Sequence, residues 1–186
     1  MGLGTAGLAL YRSLESSGLL HPPMRVCDLG SQDVYEGSNS IGSARDWMEK
    51  RGYGYCCIDI DGRHGAWRMD LNTAKATGEY QFDVVTNHGT TEHVFDQANV
   101  FCIMHDLCAL NGLMIHMVPS KRYGSSHGFY YYDKVLFRHM AACNKYETIK
   151  LEFTPDPNGE LVTAVFRKRT SDDFALPIQD MYAAPT

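Results

Sequence analysis

Short apolar segments alternate with amphipathic segments along most of this chain, and that alternation restricts the fold more than any other feature of the sequence. The apolar segments have the length of strands, and the amphipathic segments repeat their apolar residues at helical spacing. Strands that alternate with helices form a parallel sheet whose two faces are covered. Strands are predicted at residues 24–29, 54–60, 66–70, 82–86 and 113–118, and helices at residues 4–19, 41–51, 96–110 and 133–144.

The pattern changes after the last predicted helix. Two strand-like segments, residues 146–153 and 160–169, are joined by a connection that contains Asn158-Gly159, which indicates an antiparallel hairpin. The predicted fold class is therefore α/β: a Rossmann-like, doubly wound, mostly parallel seven-stranded sheet with a C-terminal antiparallel hairpin.

The remaining segments complete the predicted organisation. Residues 31–40 are rich in Ser, Asn, Gly and Asp and are predicted to form a loop, and Asn111-Gly112 is predicted to end the helix at residues 96–110. We expect one domain over residues 1–186, made of an N-terminal helix within residues 1–23, a core sheet over residues 24–169 and a tail at residues 170–186.

Charge and cysteine content restrict the partners and the compartment. Lys and Arg number 17 against 22 Asp and Glu, a net charge of −5, which argues against a nucleic-acid partner because phosphates require a basic surface. No signal peptide or membrane-spanning segment is predicted. The six cysteines include no CxxC pair, which is typical of reduced thiols. We expect a cytoplasmic protein, with a homo-oligomer left open.

Polar residues cluster where the predicted parallel strands end. Asp28 to Gln32 close the first strand, and Asp59, Asp70 and the pair Asn87-His88 follow three others. Ligands of such sheets bind at the carboxyl ends of the strands, and a carboxylate there can accept hydrogen bonds from ribose hydroxyls. The strand ends therefore predict a pocket for a nucleoside with a polar extension.

In this order and spacing the motifs resemble those of small bacterial class I S-adenosylmethionine-dependent methyltransferases. The family's first loop usually has the pattern Gly-x-Gly, whereas Gln32 replaces the second glycine here. The motifs that carry the resemblance are Val26-Cys27-Asp28-Leu29-Gly30, Ile58-Asp59-Ile60, Met69-Asp70-Leu71, Phe82-Asp83-Val84-Val85 and Glu92-His93-Val94.

The resemblance implies S-adenosyl-L-methionine as the cofactor and assigns residues to it. Gly30 with the adjoining Ser31 and Gln32 would hold the methionine portion, and Asp59 the ribose. The other residues of the implied cofactor site are Asp70 and Leu71 beside the adenine, Asn87 and His88 on the side of the sulfonium, and Asp28 and Ile60. For Asp28 the alternative is a carboxylate that braces the loop.

Two histidines are candidate catalytic residues. His127 opens a segment, His127-Gly128-Phe129, that resembles one bordering the acceptor pocket in some small bacterial methyltransferases, and a histidine there can act as a general base. His93 is the second candidate. Glu92, His93 and His127 form an alternative oxygen and nitrogen metal site, but without a strong metal-binding pattern the sequence predicts no metal.

The predicted function is the transfer of a methyl group to an oxygen or nitrogen of a small molecule or glycan. The alternative is a catalytically inactive, methyltransferase-like binding subunit, and a third hypothesis is a nucleotide-sugar or NAD enzyme with the same sheet. The initial Gly2-Leu3-Gly4-Thr5-Ala6-Gly7 matches G-x-G-x-x-G in letters but has no strand before it, so it is rejected as a dinucleotide site.

Overall fold

The structure is a computed structural model that describes residues 2–124 and 126–177. Within them, seven strands form one sheet, three short strands form a second sheet, and four α-helices pack around them. The part of the predicted tail from residue 178 onward lies outside the described residues. The strands are β1 (Gly2–Leu3), β2 (Arg25–Leu29), β3 (Asp33–Glu36), β4 (Asn39–Ser43), β5 (Gly54–Asp59), β6 (Trp67–Arg68), β7 (Phe82–His88), β8 (Cys108–Pro119), β9 (Glu147–Asp156) and β10 (Gly159–Arg167).

The large sheet has the predicted α/β topology. Its strand order is β6-β5-β2-β7-β8-β10-β9, with the first five strands parallel and β10 antiparallel to both β8 and β9. From β2 the chain crosses to β5 on one side and later to β7 on the other, so the strand order reverses beside β2. Such a reversal opens a crevice at the carboxyl ends of the strands.

The helices cover both faces of this sheet. Neighbouring strand residues point to opposite faces, so Val84 packs under one pair of helices and Val85 under the other. Both residues are fully buried, which explains why the strands appear in the sequence as continuous apolar segments. The helices are α1 (Thr5–Ser16) and α2 (Ala44–Glu49) on the Val84 face, and α3 (Gln97–Leu107) and α4 (Lys134–Cys143) on the Val85 face.

The predicted loop at residues 31–40 is wrong, because most of it belongs to the small sheet. β3 pairs with β4 in an antiparallel hairpin and with β1 in parallel. β4 also occupies the start of the predicted helix at residues 41–51, so α2 begins only at Ala44, where the Ser43 hydroxyl accepts a hydrogen bond from the Asp46 N–H.

The predicted helix end at Asn111-Gly112 is also wrong. α3 ends at Leu107 and β8 begins at the next residue, with a register irregularity against β7. Asn111 has a φ of 65°, and a Cβ on Gly112 would lie 2.8 Å from the carbonyl oxygen of Ala109 and 2.9 Å from that of Asp83. These residues therefore form a bulge inside a strand and do not cap a helix.

Among the described residues, no helix is both long enough and apolar enough to cross a membrane.

Candidate functional site

The loop after β2 lies against the turn after β7. Gly30 has a φ of 87° and donates its N–H to the carbonyl oxygen of Ile58 (2.7 Å). A Cβ at this position would clash with the Thr90 hydroxyl. The glycine is therefore required both by the left-handed backbone and by the close approach of Thr90.

Asp59 ends β5 and faces this loop. Its Oδ2 accepts a hydrogen bond from the Ser31 N–H (2.7 Å), and its Oδ1 a longer one from the Asp61 N–H (3.3 Å). The Ser31 hydroxyl donates to the carbonyl oxygen of Arg63 (3.1 Å), which holds the next turn against the loop. Ile60, beside Asp59, is 66% exposed. At the end of β5, the Asp59 carboxylate therefore has lone pairs for further hydrogen bonds, and the apolar side chain of Ile60 next to it is exposed.

Gln32 carries an unpaired polar atom beside the same loop. Its side chain is buried, and its Nε2 donates to the Thr90 hydroxyl (3.3 Å). Its Oε1 has no hydrogen-bond partner among residues 2–124 and 126–177. Leaving a buried acceptor unpaired costs about 1–3 kcal/mol, so this oxygen is suited to accept a hydrogen bond from a bound group.

The hydrogen bonds of Asp28 match the bracing alternative. The carboxylate is buried on the α1 face of the sheet, where it accepts hydrogen bonds from the hydroxyls of Tyr55 (2.6 Å) and Thr86. Burial raises its pKa to about 6, and the two hydroxyl donors oppose this rise. Asp28 therefore fastens β2 to its neighbouring strands.

The side chain of Asn87 is likewise used within the protein. Its Oδ1 accepts the N–H groups of Thr90 (3.2 Å) and Thr91 (3.1 Å), and its Nδ2 donates to the Thr91 hydroxyl (2.9 Å). Asn87 thus shapes the turn after β7.

Asp70 and Leu71 follow β6, which pairs with β5 at Asp59, and the Met69 N–H donates to the carbonyl oxygen of Asp59 (3.2 Å). Asp70 is exposed and its Oδ1 accepts hydrogen bonds from the backbone and side-chain N–H groups of Asn72 (both 2.9 Å), which lower the pKa of Asp70. Leu71 is buried in the core that α3 covers. Asp70 organises a turn, and Asn72 links that turn to Phe95 through the Phe95 N–H (2.9 Å).

A cavity of about 620 Å³ opens at the carboxyl ends of β7 and β8. This volume is in the range of small-molecule sites. The glycine loop at residues 30–32 does not line it, and neither do Asp59 and Ile60. Its walls are the segment Gly2–Gly7, the β3–β4 turn, the ends of β7 and β8, the loop after β8 and the β9–β10 turn, with His88, Glu92, Tyr123, His127 and Asp156 among the polar lining residues.

Glu92 forms the centre of a cluster in the wall of this cavity. Its side chain is 0% exposed, yet neither carboxylate oxygen accepts a hydrogen bond from any described residue. Its Oε1 lies 3.4 Å from Nε2 of His127 and 3.9 Å from Nε2 of His93. Burial raises the pKa of Glu92 to about 7. The structure therefore brings the two predicted catalytic histidines together, on one carboxylate.

His88 borders the cavity as a neutral imidazole. Its Nε2 is hydrogen-bonded to the hydroxyl of Tyr11 (3.1 Å), a buried residue of α1. Burial lowers the pKa of His88 to about 4. His88 is thus placed to offer a polar but uncharged edge to the cavity.

Two residues that line the cavity, Tyr123 and Asp156, were not among the predicted site residues, and neither was Tyr11, which contacts His88. The segment Gly2–Gly7, rejected as a dinucleotide site, also lines the cavity. A Cβ on Gly2 would overlap the ring of Tyr35. Of the glycines in this segment, Gly2 packs against the distant β3–β4 hairpin, whereas a Cβ on Gly4 would meet nothing within 4 Å.

No protein-family model and no curated protein sequence matches this chain. Solved structures share its fold. A 1,6-didemethyltoxoflavin-N1-methyltransferase of Burkholderia thailandensis, with bound 1,6-didemethyltoxoflavin and S-adenosylhomocysteine, superimposes with a TM-score of 0.59 at 14% identity, over 89% of this chain and 77% of that one.

Two further structures give the same result. The magnesium protoporphyrin IX methyltransferase of Synechocystis, with bound S-adenosylhomocysteine, has a TM-score of 0.56 at 10% identity, over 87% of this chain and 81% of that one. A TehB-like SAM-dependent methyltransferase of Corynebacterium glutamicum has a TM-score of 0.53 at 16% identity, over 87% of this chain and 96% of that one. The chain has the fold of the class I S-adenosylmethionine-dependent methyltransferases, as its motifs predicted.

Proposed function

We propose that this protein transfers a methyl group from S-adenosyl-L-methionine to an oxygen or nitrogen of a small molecule or glycan. The observation that carries the proposal is the position of Asp59, at the end of β5 and opposite the Gly30–Gln32 loop, on a methyltransferase fold. An acid at this strand end suits a ribose. Fold alone does not imply function, so the proposal rests on this site.

The residues at the glycine loop fit the cofactor. Asp59 would accept hydrogen bonds from the ribose hydroxyls, and the uncovered side chain of Ile60 would lie beside the adenine. The buried, unpaired Oε1 of Gln32 would accept a hydrogen bond from the methionine ammonium. Gln32 would thus supply a contact in the place where the family usually has a glycine.

The cofactor supplies an electrophilic methyl group on a sulfonium, so the protein's main task is to position the acceptor. The cavity at the carboxyl ends of β7 and β8 has the size for one small molecule, and the buried imidazole of His88 lies in its wall. His127 would accept the acceptor's proton, with Glu92 3.4 Å away to stabilise the imidazolium, and His93 is the second candidate base.

A titration with S-adenosylhomocysteine tests the proposal. Binding by the full chain should weaken at least tenfold in Asp59→Ala, because a hydrogen bond to a charged group contributes about 1.5–3 kcal/mol. Asp173→Ala, which removes an exposed carboxylate elsewhere, should bind as the native chain does. The absence of any calorimetric or thermal-shift response at millimolar ligand would contradict the proposal.

A further inference from the structure

The carboxylate of Glu92 is buried without a compensating hydrogen bond. Removing an ion from water costs several kcal/mol unless opposite charge or hydrogen bonds replace the lost hydration. Both oxygens of Glu92 lack a hydrogen-bond partner among the described residues, and the groups facing Oε1 are two imidazole nitrogens. Among the described residues, the only basic side chains within ion-pair distance of Glu92 are these two imidazoles.

We infer that Glu92, His93 and His127 bind one divalent transition-metal ion, for which Zn²⁺ is the first candidate. The three ligating atoms all lie within 4.8 Å of one another. Bonds of about 2.0–2.2 Å to a tetrahedral ion separate neighbouring ligands by about 3.3–3.6 Å. The observed 3.4 Å and 3.9 Å from Glu92 Oε1 are close to that spacing.

The loop that carries His127 is fastened to the turn that carries Glu92. The carbonyl oxygen of Glu92 accepts the N–H groups of Phe129 (2.8 Å) and Tyr130 (3.3 Å). A Cβ on Gly128 would lie 2.8 Å from Cγ of Glu92 and 2.9 Å from its carbonyl oxygen, so the contact requires a glycine. The ligands are therefore held together by backbone contacts before any ion binds.

The backbone of His127 is held as well. Its N–H donates to the hydroxyl of Tyr131 (3.2 Å), and that hydroxyl donates to the carbonyl oxygen of Gly124 (3.0 Å). The ring of Tyr123 packs edge-on against the His127 imidazole, with ring centroids 4.9 Å apart. These contacts limit the orientations of His127, as the supporting groups of metal-binding histidines do.

Two histidines and one glutamate are a ligand set of catalytic zinc sites, which keep one position open. Among the described residues the cluster contains no fourth His, Cys, Asp or Glu. Glu92 and His127 both line the cavity, so the open position would face a molecule bound there.

The role of the ion in catalysis rests on the proposed function. A bound hydroxyl loses its proton more readily because the ion stabilises the oxyanion. Nε2 of His93 and Nε2 of His127 would then be ligands of the ion. The ion, and not His127, would be the group that promotes loss of the acceptor's proton. A methyl transfer that stops after chelation and resumes with Zn²⁺ separates this role from that of a histidine base.

Calorimetric titration of the chelator-treated full chain with Zn²⁺, and the absorption spectrum with Co²⁺, test the site itself. We expect one ion per chain. Losing a group that only supports a metal ligand weakens metal binding by about 10–100-fold. His127→Ala and Glu92→Gln each remove a ligand and should weaken Zn²⁺ binding by at least that factor. Glu92→Gln removes a buried charge and should fold at least as well as the native chain, so its loss of binding would not reflect unfolding.

His21→Ala is the matched control, because His21 is an exposed histidine away from the cavity. It should bind Zn²⁺ as the native chain does. Native protein that binds no Zn²⁺, or a His127→Ala variant that binds it equally well, would overturn the inference. If S-adenosylhomocysteine still binds in that case, the proposed function stands. If Zn²⁺ binds and S-adenosylhomocysteine does not, the proposed function falls and the metal site stands.

Discussion

At the scale of single residues, ionisable groups buried in the sheet make stability depend on pH in opposite directions. Burial raises the pKa of Asp28 to about 6 and lowers the pKa values of His88 and His116 to about 4 and about 3. The folded chain therefore takes up a proton on Asp28 before the unfolded chain does, and it resists protonation of the two histidines. Lowering the pH below about 6 stabilises the fold through Asp28 and destabilises it through the histidines.

Asp28→Asn isolates the contribution of the carboxylate. The raised pKa of Asp28 contributes stability that is fully present below its unfolded value of 3.8 and is lost as pH rises through about 6. Relative to the native chain, the variant should therefore gain about 2 kcal/mol in unfolding free energy between pH 4 and pH 7. Urea unfolding at several pH values measures this, because the histidine contributions cancel in the difference.

Asp173→Asn changes an exposed residue. Its unfolding free energy relative to the native chain should not change across the same pH range. A flat difference for Asp28→Asn as well would mean that Asp28 titrates at its ordinary value, and that the two hydroxyl donors fully offset its burial.

At the scale of elements, the sequence predicted every strand of the large sheet and all four helices, and it failed at the small sheet and at the start of β8. The β3–β4 hairpin has few apolar residues, and of them Val34 is buried while Ile41 is exposed, so its sequence shows no strand pattern. β3 pairs with the adjacent β4 and also with β1, which is far away in the sequence. Propensity is a weak guide where a distant strand supplies the pairing.

The bulge of β8 is the second feature at this scale that the sequence did not predict. A Cβ at position 112 would press on the carbonyl oxygens of Ala109 and Asp83, which are backbone atoms and cannot move away alone. Gly112→Ala should therefore destabilise the protein by about 1–3 kcal/mol, the usual cost of overpacking. Urea unfolding measures the loss.

Gly124→Ala is the matched control, since a Cβ there would have only an ordinary contact, 3.6 Å from the carbonyl oxygen of Asn158. It should change the unfolding free energy by less than about 0.5 kcal/mol. Equal effects of the two substitutions would mean that the backbone at the bulge relaxes.

At the scale of the whole molecule, Phe137 of α4 joins elements from across the chain. Its ring is fully buried and contacts the rings of Phe101, His116, Tyr132 and Phe166, which come from α3, β8, the loop before α4 and β10. This single side chain therefore links the predicted parallel core to the C-terminal hairpin.

Phe137→Ala should cost about 3–5 kcal/mol in unfolding free energy, through lost burial and the cavity left behind. Phe129→Ala removes the same side chain from a position that is 68% exposed and should cost less than about 0.5 kcal/mol. Thermal and urea unfolding of both variants would show the contrast, and a small loss for Phe137→Ala would mean that the core on this face collapses around the gap.

The sequence by itself determined the fold class and the order of the elements, because hydrophobic periodicity is local and survives without a partner. It also named Asp59, Gln32, His93 and His127, since residues that follow parallel strands gather at one sheet edge. Only the tertiary structure decided what each side chain does there. Asp28 and Asn87 proved to be used by neighbouring protein groups, and Glu92 proved to be buried without a partner. Hydrogen-bond partners and burial depend on which distant segments meet, and no local pattern encodes that meeting.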